Sequence, residues 1–364
     1  MRETMTSRER WLAALKRQPV DRLPFWPKIN GSYAAHQREP FRSMSTPELH
    51  TWIGSDKHVG GLSCLKTVRT NTSVESTTRD DVQTTVYRTP RGELTLVQRF
   101  DPYSHSWHPK EYPVKSADDI ETMALVYADE RAEFDPDQDE RAKATERELG
   151  EDGVVVTGLG ISPLMEWIQY LAGLKNGLLL LADYPEKVEF LFDQMHAALY
   201  RRTAILAEKS CYRIIYSSEN TSTTLISPEL FRRYCLRHLM DYGRIIASAG
   251  KFHVLHMCGH LKVLLPDIDT LPAAAMEAFT SPPVGNTTLL DGRTACKDKC
   301  LIGGTNATLW LEDAETITRT IGHDLDVLPH RRGIVVTSAG VMPPGCPPET
   351  IKRVADWVKS YEAA

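Results

Sequence analysis

The sequence lacks any long apolar run, which argues against a membrane-spanning protein. Nowhere in the 364 residues is there a stretch of about 20 apolar residues, the length that a helix needs to cross a bilayer. The segment from Met1 to Arg10 contains acidic residues and no apolar core, so it does not have the pattern of a secretory signal. We therefore expect a cytoplasmic protein that does not associate with membranes.

The sequence also lacks an excess of positive charge. The chain has 43 Lys and Arg against 48 Asp and Glu, which gives a net charge of −5. Nucleic-acid-binding proteins usually carry clustered Lys and Arg, so we expect no nucleic-acid partner. The hydrophobic fraction of 41% and the charged fraction of 25% are typical of a globular protein.

Cysteines are few, and their spacing is irregular. The chain has seven, an odd number, which argues against a framework of disulfide bonds in so long a protein. Cys296 and Cys300 flank the start of a predicted strand, so we interpret both as packing residues. The remaining cysteines are expected to be buried hydrophobic residues or metal ligands.

From Gly153 onward, short apolar runs alternate with longer amphipathic segments. This alternation is typical of parallel strands joined by helices, and 364 residues suit a single (β/α)₈ TIM barrel. The predicted strands, starting with one near the N-terminus, are Arg22–Trp26, Val154–Gly158, Arg213–Ser217, Phe252–His256, Ala274–Glu277, Cys300–Gly304 and Gly333–Thr337.

Residues 31–152 have a less regular pattern. Thr84–Arg88 and Glu93–Val97 flank Pro90-Arg91-Gly92, which predicts a β-hairpin. We interpret residues 31–152 as including a cap over the barrel, within one domain that spans residues 1–364. A separate domain in this region is the alternative.

Polar residues follow several predicted strands, where a barrel places its active site. His256 and Cys258 are two residues apart at the end of an extended segment, so both side chains leave on the same face and can reach one ion. Imidazole and thiolate together suit zinc. The alternative is that Cys258 is an inert thiol and His256 a hydrogen-bonded core residue.

Zinc needs at least a third protein ligand. Cys346, in the loop after the last strand, is the first choice, and Glu219 and Glu277 at other strand ends are its rivals. Either carboxylate could instead orient a substrate or the His256 N–H, or handle a proton as a catalytic residue. Asn220 and Asn306, also at strand ends, are candidate substrate-binding residues.

The chain resembles the uroporphyrinogen decarboxylase superfamily, and within it the zinc-dependent, corrinoid-linked methyltransferases. The resemblance spans nearly the whole chain, and its motifs are Thr6 to Leu15 followed by Asp21-Arg22-Leu23-Pro24, Leu225 to Phe231, His256-Met257-Cys258-Gly259, and Met342 to Glu349. In that branch the zinc site is completed by a cysteine near the end of the last strand. Val341 occupies the corresponding position here, and Cys346 lies five residues later.

The resemblance implies methyl transfer between a small substrate and a corrinoid such as methylcobalamin. The substrate could be a methyl ether, a methylamine or a thiol, and the direction of transfer stays open. Because the sequence has no D-x-H-x-x-G cobalamin motif, the corrinoid is expected on a separate protein. A homodimer is a further expectation from the resemblance.

Two other functions remain open from the sequence. Members that decarboxylate uroporphyrinogen carry an arginine-rich loop after the first strand, whereas residues 28–33 here read Lys-Ile-Asn-Gly-Ser-Tyr. A substrate with many carboxylates needs such cations, so decarboxylation is the weaker alternative. The other is a barrel without catalysis that binds a ligand or a partner.

Overall fold

The computed structural model describes residues 3–29 and 31–363. Asn30, which belongs to the loop compared above, lies outside the described residues. In chain order the strands are β1 (Phe25–Trp26), β2 (Lys57–Gly60), β3 (Leu65–Val68), β4 (Ser73–Arg79), β5 (Val82–Thr89), β6 (Gly92–Asp101), β7 (Ser106–Glu111), β8 (Arg131–Phe134), β9 (Gly153–Gly160), β10 (Ile214–Ser217), β11 (Phe252–His256), β12 (Ala275–Phe279), β13 (Cys300–Gly303) and β14 (Ile334–Thr337).

Helices connect and flank these strands. They are α1 (Ser7–Leu15), α2 (Gly31–Ala35), α3 (Thr46–Ile53), α4 (Ala117–Asp129), α5 (Pro136–Leu149), α6 (Pro163–Glu166), α7 (Leu174–Asp183), α8 (Pro185–Lys209), α9 (Pro228–Phe231), α10 (Arg237–Ser248), α11 (Leu265–Asp269), α12 (Leu289–Ala295), α13 (Ala314–Asp326) and α14 (Pro348–Ser360). No helix within residues 3–29 and 31–363 is both long enough and apolar enough to span a bilayer.

The barrel strands form one parallel sheet in the order β1-β14-β13-β12-β11-β10-β9-β2. Its inward-facing side chains make a layer of aliphatic and aromatic residues, which include Val154, Ile214, Val254 and Ile302. Helix α1 precedes β1 and packs Trp11, Ala14 and Leu15 onto the same layer, so it closes the amino-terminal end of the barrel. The architecture is therefore a nearly closed α/β TIM barrel, as the sequence predicts.

The two edge strands of this sheet meet at a buried carboxylate. Asp56 accepts hydrogen bonds from Arg10 Nη1 at 2.6 Å, Arg22 Nη1 at 2.7 Å and the Phe25 N–H at 2.9 Å. Its own N–H donates to the Phe25 carbonyl at 2.8 Å. This one residue joins α1, β1 and β2, so it closes the barrel at the level where β1 begins.

Beyond the contact between Asp56 and Phe25, the described residues show no strand pairing between β1 and β2. Strand β1 pairs with β14, and β2 pairs with β9. Since β1 is only two residues long, the carboxyl-terminal part of β2 has no strand beside it on that side. The barrel wall therefore has a slit between β1 and β2.

The chain between β2 and β9 forms an antiparallel sheet in the order β4-β5-β6-β7 and a separate pair of β3 with β8. The predicted hairpin is confirmed, because β5 and β6 pair with Thr89 opposite Gly92. The interpretation of residues 31–152 as including a cap within a single domain stays a prediction.

Strand β2 is the barrel strand that the sequence patterns did not predict. Lys57-His58-Val59-Gly60 contains one aliphatic side chain, and none of its residues is fully buried. The other barrel strands carry continuous apolar runs because helices cover their outer face. Helix α1 does agree with the sequence, since Thr6 and Glu9 form its capping box.

Candidate functional site

A polar cluster lies at the carboxyl ends of β11, β12 and β1. His256 and Glu277 are register partners on neighbouring parallel strands, so their side chains emerge side by side. The His256 Nδ1 is hydrogen-bonded to the Glu277 Oε2. Lys28, two residues after β1, donates from Nζ to the Glu277 Oε1 at 2.7 Å. Glu277 therefore connects a cation on one side of the barrel mouth to an imidazole on the other.

Burial and charge act in opposite directions on this cluster. Burial alone would lower the pKa of His256, but the Glu277 carboxylate outweighs it and raises that pKa above its usual value. Burial alone would raise the pKa of Glu277, but Lys28 and His256 hold it below its usual value. Without a bound metal, the buried Glu277 is thus a carboxylate flanked by two positive charges.

Cys258 lies against His256 and Asn220. Cys258 is close enough to the imidazole to help raise the pKa of His256, and the Cys258 Sγ lies 3.3 Å from the Asn220 Oδ1. The Asn220 N–H donates to the His256 carbonyl at 3.1 Å, and its Nδ2 donates to the Gln169 Oε1 at 2.8 Å. The H-x-C pair therefore does bring imidazole and thiol together at the barrel mouth.

Gly259 is required by the close approach of another loop. A Cβ at this position would lie 2.2 Å from the Ser222 Cβ and 2.8 Å from the Thr221 carbonyl oxygen. Both distances are far below normal contact, so a side chain would push the two loops apart. The glycine thus lets the chain after Cys258 pass directly beneath the loop that carries Asn220.

Three non-glycine residues at the barrel mouth have left-handed backbone conformations. Asn220, Ala278 and Ala339 have φ values of 50°, 60° and 62°. Each one follows the last paired residues of a barrel strand or interrupts its ladder, as Ala278 does between Glu277 and Phe279. Left-handed φ is uncommon for residues other than glycine and asparagine, and it clusters at functional sites.

Glu219 lies at a strand end but outside this cluster. It is fully buried, and it accepts hydrogen bonds from the Ser162 N–H at 3.0 Å and from the Ser162 hydroxyl. Cys235, which is also buried, lies beside the same hydroxyl. Burial raises the pKa of Glu219 to about 7. The carboxyl therefore anchors the start of α6 rather than facing the barrel mouth.

Asn306 is held within the loops after β12 and β13. Its Nδ2 donates to the Ser281 Oγ at 3.0 Å and to the Pro282 carbonyl at 2.9 Å. Its Oδ1 accepts from the Leu309 N–H at 3.0 Å and from the Thr308 hydroxyl. Both donors of the amide are thus used in holding the loops together.

Cys346 is buried in the apolar core beside the last loop. Tyr33 donates from its hydroxyl to the Cys346 carbonyl at 2.6 Å, and burial raises the pKa of the thiol to about 12. In the part of the chain that the structure describes, no three His, Cys, Asp or Glu side chains are arranged to hold a metal ion. His256, Cys258, Glu277 and Asn220 are thus brought together, whereas Cys346, Glu219 and Asn306 lie apart from them.

Aromatic rings form the floor below the cluster. The Trp26 and His58 rings stack at 4.0 Å between centroids, and the His58 Nε2 lies 2.9 Å from the Tyr216 hydroxyl. Burial lowers the pKa of His58 to about 3, so its ring is neutral. The floor is therefore aromatic and uncharged.

Sequence reasoning did not select Lys28, His58 or Gln169 as site residues. Lys28 could have been found, because it is a polar residue just after a predicted strand. His58 could not, since β2 itself was not predicted. Gln169 lies in a π-helical turn, Trp167–Leu171, for which the sequence gives no recognisable signal.

Comparisons with known proteins agree with the architecture. A methyltransferase from Methanosarcina mazei has a similar structure, with a TM-score of 0.61, 17% sequence identity and coverage of 98% of this chain and 99% of that chain. A candidate vitamin-B12-independent methionine synthase from Listeria monocytogenes matches more weakly, with a TM-score of 0.41 and 12% identity over 93% of this chain and 96% of that chain. No curated protein matches the chain in sequence.

At 17% sequence identity, the similarity to the Methanosarcina mazei protein shows the fold alone. The family comparison goes further. The profile of the family described as uroporphyrinogen decarboxylase (URO-D) matches residues 109–361, which is more than half of the chain and includes Glu277, His256 and Cys258. The chain therefore belongs to the uroporphyrinogen decarboxylase family.

Proposed function

We propose that this protein is a zinc-dependent methyltransferase that moves a methyl group between a small substrate and a corrinoid carried on a separate protein. The family and the fold shared with a methyltransferase support this proposal. The observation that carries it is the pairing of His256 with Glu277 through Nδ1, next to Cys258. In zinc proteins a carboxylate commonly holds the ring nitrogen that does not bind the metal.

The donor atoms fit zinc in type. His256 offers Nε2, Cys258 offers Sγ, and Glu277 fixes the orientation of the imidazole. Among the described residues, no third protein ligand is in place beside His256 and Cys258. Cys346 could join the pair only if the loop after β14 moved its thiol out of the core, where it now packs. His256 and Cys258 are thus the two residues that would hold the ion.

Zinc, when bound, would supply Lewis acidity at the heteroatom that gains or loses the methyl group. Lys28 keeps Glu277 charged, and Glu277 keeps the imidazole aligned. Asn220, fixed by Gln169, places an amide beside the Cys258 sulfur, where it could orient a substrate. Since Glu277 remains a carboxylate, it acts by charge and orientation, and Glu219 acts by positioning the loop that carries Asn220.

The experiment combines metal analysis with methyl transfer. Protein purified without added metal should contain about one zinc per chain, and His256→Ala and Cys258→Ala should each lose it. Cys211→Ala, which changes a half-buried cysteine on another part of the chain, is the matched control and should keep zinc. Activity is measured with cob(I)alamin and methyl donors, and with methylcobalamin and thiols.

The same experiment separates the alternatives. Zinc that survives both site variants, or a wild-type protein without zinc, would reject the zinc-dependent proposal. Family membership also allows a uroporphyrinogen decarboxylase, for which turnover of uroporphyrinogen without metal is the direct assay. Against that reaction, Lys28 is already paired with Glu277 and not directed to a polyanionic substrate. A barrel that only binds a ligand or partner would show neither zinc nor turnover.

A further inference from the structure

A cavity of about 620 Å³ passes through the slit between β1 and β2. On the barrel side it is bounded by Trp26, Lys28 and His58, and on the outer side by His50 of α3 and Leu149 of α5. Val341, in the loop after β14, completes the wall. The cavity is not lined by His256 or Cys258, but it shares Lys28 with their cluster. It therefore leads away from the candidate site through the barrel wall.

Most of the charged side chains around the cavity are paired, and the remaining one, Glu148 of α5, is exposed to solvent. Lys28 is paired with Glu277 at 2.7 Å, and Lys57 is paired with Asp152 at 3.1 Å. The His50 Nδ1 lies 2.7 Å from the Ser55 hydroxyl, and burial lowers the pKa of this histidine to about 4. With His58 also neutral and both lysines paired, the barrel side of the cavity presents mainly apolar and aromatic surface.

The size of the cavity discriminates among small methyl donors and acceptors. Pockets for drug-sized ligands have volumes of roughly 300–1,000 Å³. A methylamine of two non-hydrogen atoms would fill about a tenth of this one, at about 30 Å³ for each water-sized unit. A molecule that used the whole cavity would therefore need a ring-sized body.

The shape of the entrance also fits a flat body. Gly60 is two residues after His58 on β2, so by strand alternation it faces the same side. A Cβ on Gly60 would meet no atom within 4 Å, so open space lies directly over this residue. The stacked Trp26 and His58 rings line the same cavity, so an aromatic ring could pack against this pair.

We propose that this cavity seats the non-reacting part of the substrate, and that the substrate is an uncharged aryl methyl ether rather than a methylamine or a small thiol. The methoxy end would lie toward Lys28 and the His256–Glu277 pair, and the ring would lie between Trp26 and Leu149. This inference rests on the proposed function for the meaning of the methyl group. The binding itself needs neither zinc nor a corrinoid.

The test measures binding of methoxybenzene to the metal-free protein by titration calorimetry, with methylamine as the comparison. Wild-type protein should bind methoxybenzene, and methylamine should not compete. Gly60→Phe and Val341→Phe, which fill the cavity from two sides, should each weaken binding by about tenfold or more, equal to about 1.4 kcal/mol. Leu62→Phe places the same phenyl ring at an exposed residue on the same segment and should leave binding unchanged.

Circular dichroism and thermal unfolding of each variant establish that it is folded. Binding that survives both cavity-filling substitutions, or no binding to the wild type at the solubility limit of methoxybenzene, would overturn the inference. The outcome is independent of the zinc experiment. A protein that binds methoxybenzene but holds no zinc would support this cavity and reject the zinc-dependent reaction. A protein that holds zinc but does not bind methoxybenzene would reject this cavity and leave the zinc-dependent reaction standing.

Discussion

His256 and Glu277 are register partners on neighbouring strands, and the carboxylate holds Nδ1 of the imidazole. This leaves Nε2 as the nitrogen available to a metal and fixes the plane of the ring. Lys28 contacts the other oxygen of the same carboxylate, so the orientation of the imidazole depends on β11, β12 and the segment after β1.

Replacing Glu277 should weaken zinc binding without abolishing it. Glu277→Gln keeps the shape of the side chain but removes the charge that stabilises the metal-bound imidazole, so we expect zinc affinity to fall by about 10- to 100-fold. Competition with a chromophoric chelator measures it. Glu75→Gln is the matched control, because Glu75 pairs with Arg88 on the antiparallel sheet rather than with His256, and its zinc affinity should equal that of the wild type. Equal affinities in both variants would reject the role assigned to Glu277.

Asp56 should be among the most sensitive positions for stability. Its side chain is fully buried, and its removal would leave the Phe25 N–H without this acceptor and would take one carboxylate partner from each of the nearly buried Arg10 and Arg22. Asp56→Ala should therefore lower the free energy of unfolding by about 3–5 kcal/mol. Urea denaturation measures this loss.

The control for that prediction is an exposed ion pair. Glu75→Ala removes the partner of Arg88 on the surface of the antiparallel sheet and should cost less than about 1 kcal/mol. A comparable loss in the two variants would mean that Asp56 does not close the barrel.

Gly259→Ala should disturb the site through the backbone. The new methyl group would lie 2.2 Å from the Ser222 Cβ, which forces the loops of Asn220 and Cys258 apart. We expect a loss of about 1–3 kcal/mol in the free energy of unfolding, together with weaker zinc binding. Gly60→Ala is the control, since its Cβ meets open space and should change stability by less than about 1 kcal/mol. Unchanged stability and zinc affinity in Gly259→Ala would contradict the steric argument.

Glu219 should make stability fall as the pH rises. Burial raises the pKa of this carboxyl to about 7 in the folded protein, whereas an exposed glutamate titrates near 4.3. Between these values the folded state keeps the proton that the unfolded state releases, so each step up in pH favours unfolding. Above pH 7 the loss is complete, and below pH 4 it is absent.

Glu219→Gln removes this titration and can still hydrogen-bond with Ser162. Its stability relative to the wild type should therefore be greater at pH 8 than at pH 4.5, as measured by urea denaturation at the two values. A difference that does not change with pH would show that Glu219 ionises normally in the folded protein.

The sequence predicted the barrel because most of its strands are continuous apolar runs, buried on both faces. It predicted the proximity of His256, Cys258, Glu277 and Asn220 because parallel strands of a barrel end at one rim. It could not predict β2, where Lys57 and His58 replace the expected apolar residues and the wall opens to a cavity.

The direction of individual side chains was also beyond the sequence. Glu219 and Asn220 are adjacent, yet the left-handed backbone at Asn220 turns one residue toward Cys258 while the other is buried beside Ser162. Cys346 follows the last strand as expected, but its loop buries the thiol in the core, and Tyr33 holds the backbone carbonyl of the same residue. Such directions depend on loop backbone angles, for which Ala339 and Asn220 give only weak sequence signals.

The left-handed residues at the barrel mouth have a consequence for how the protein could evolve. An alanine in this conformation costs on the order of 1–3 kcal/mol, and Ala278 and Ala339 both adopt it. Glycine at either position would relieve that cost, so the present chain sits below the stability its own fold permits. Glycine at these two positions is therefore one route to a more heat-tolerant chain, and both substitutions would fall next to Glu277 or in the last loop.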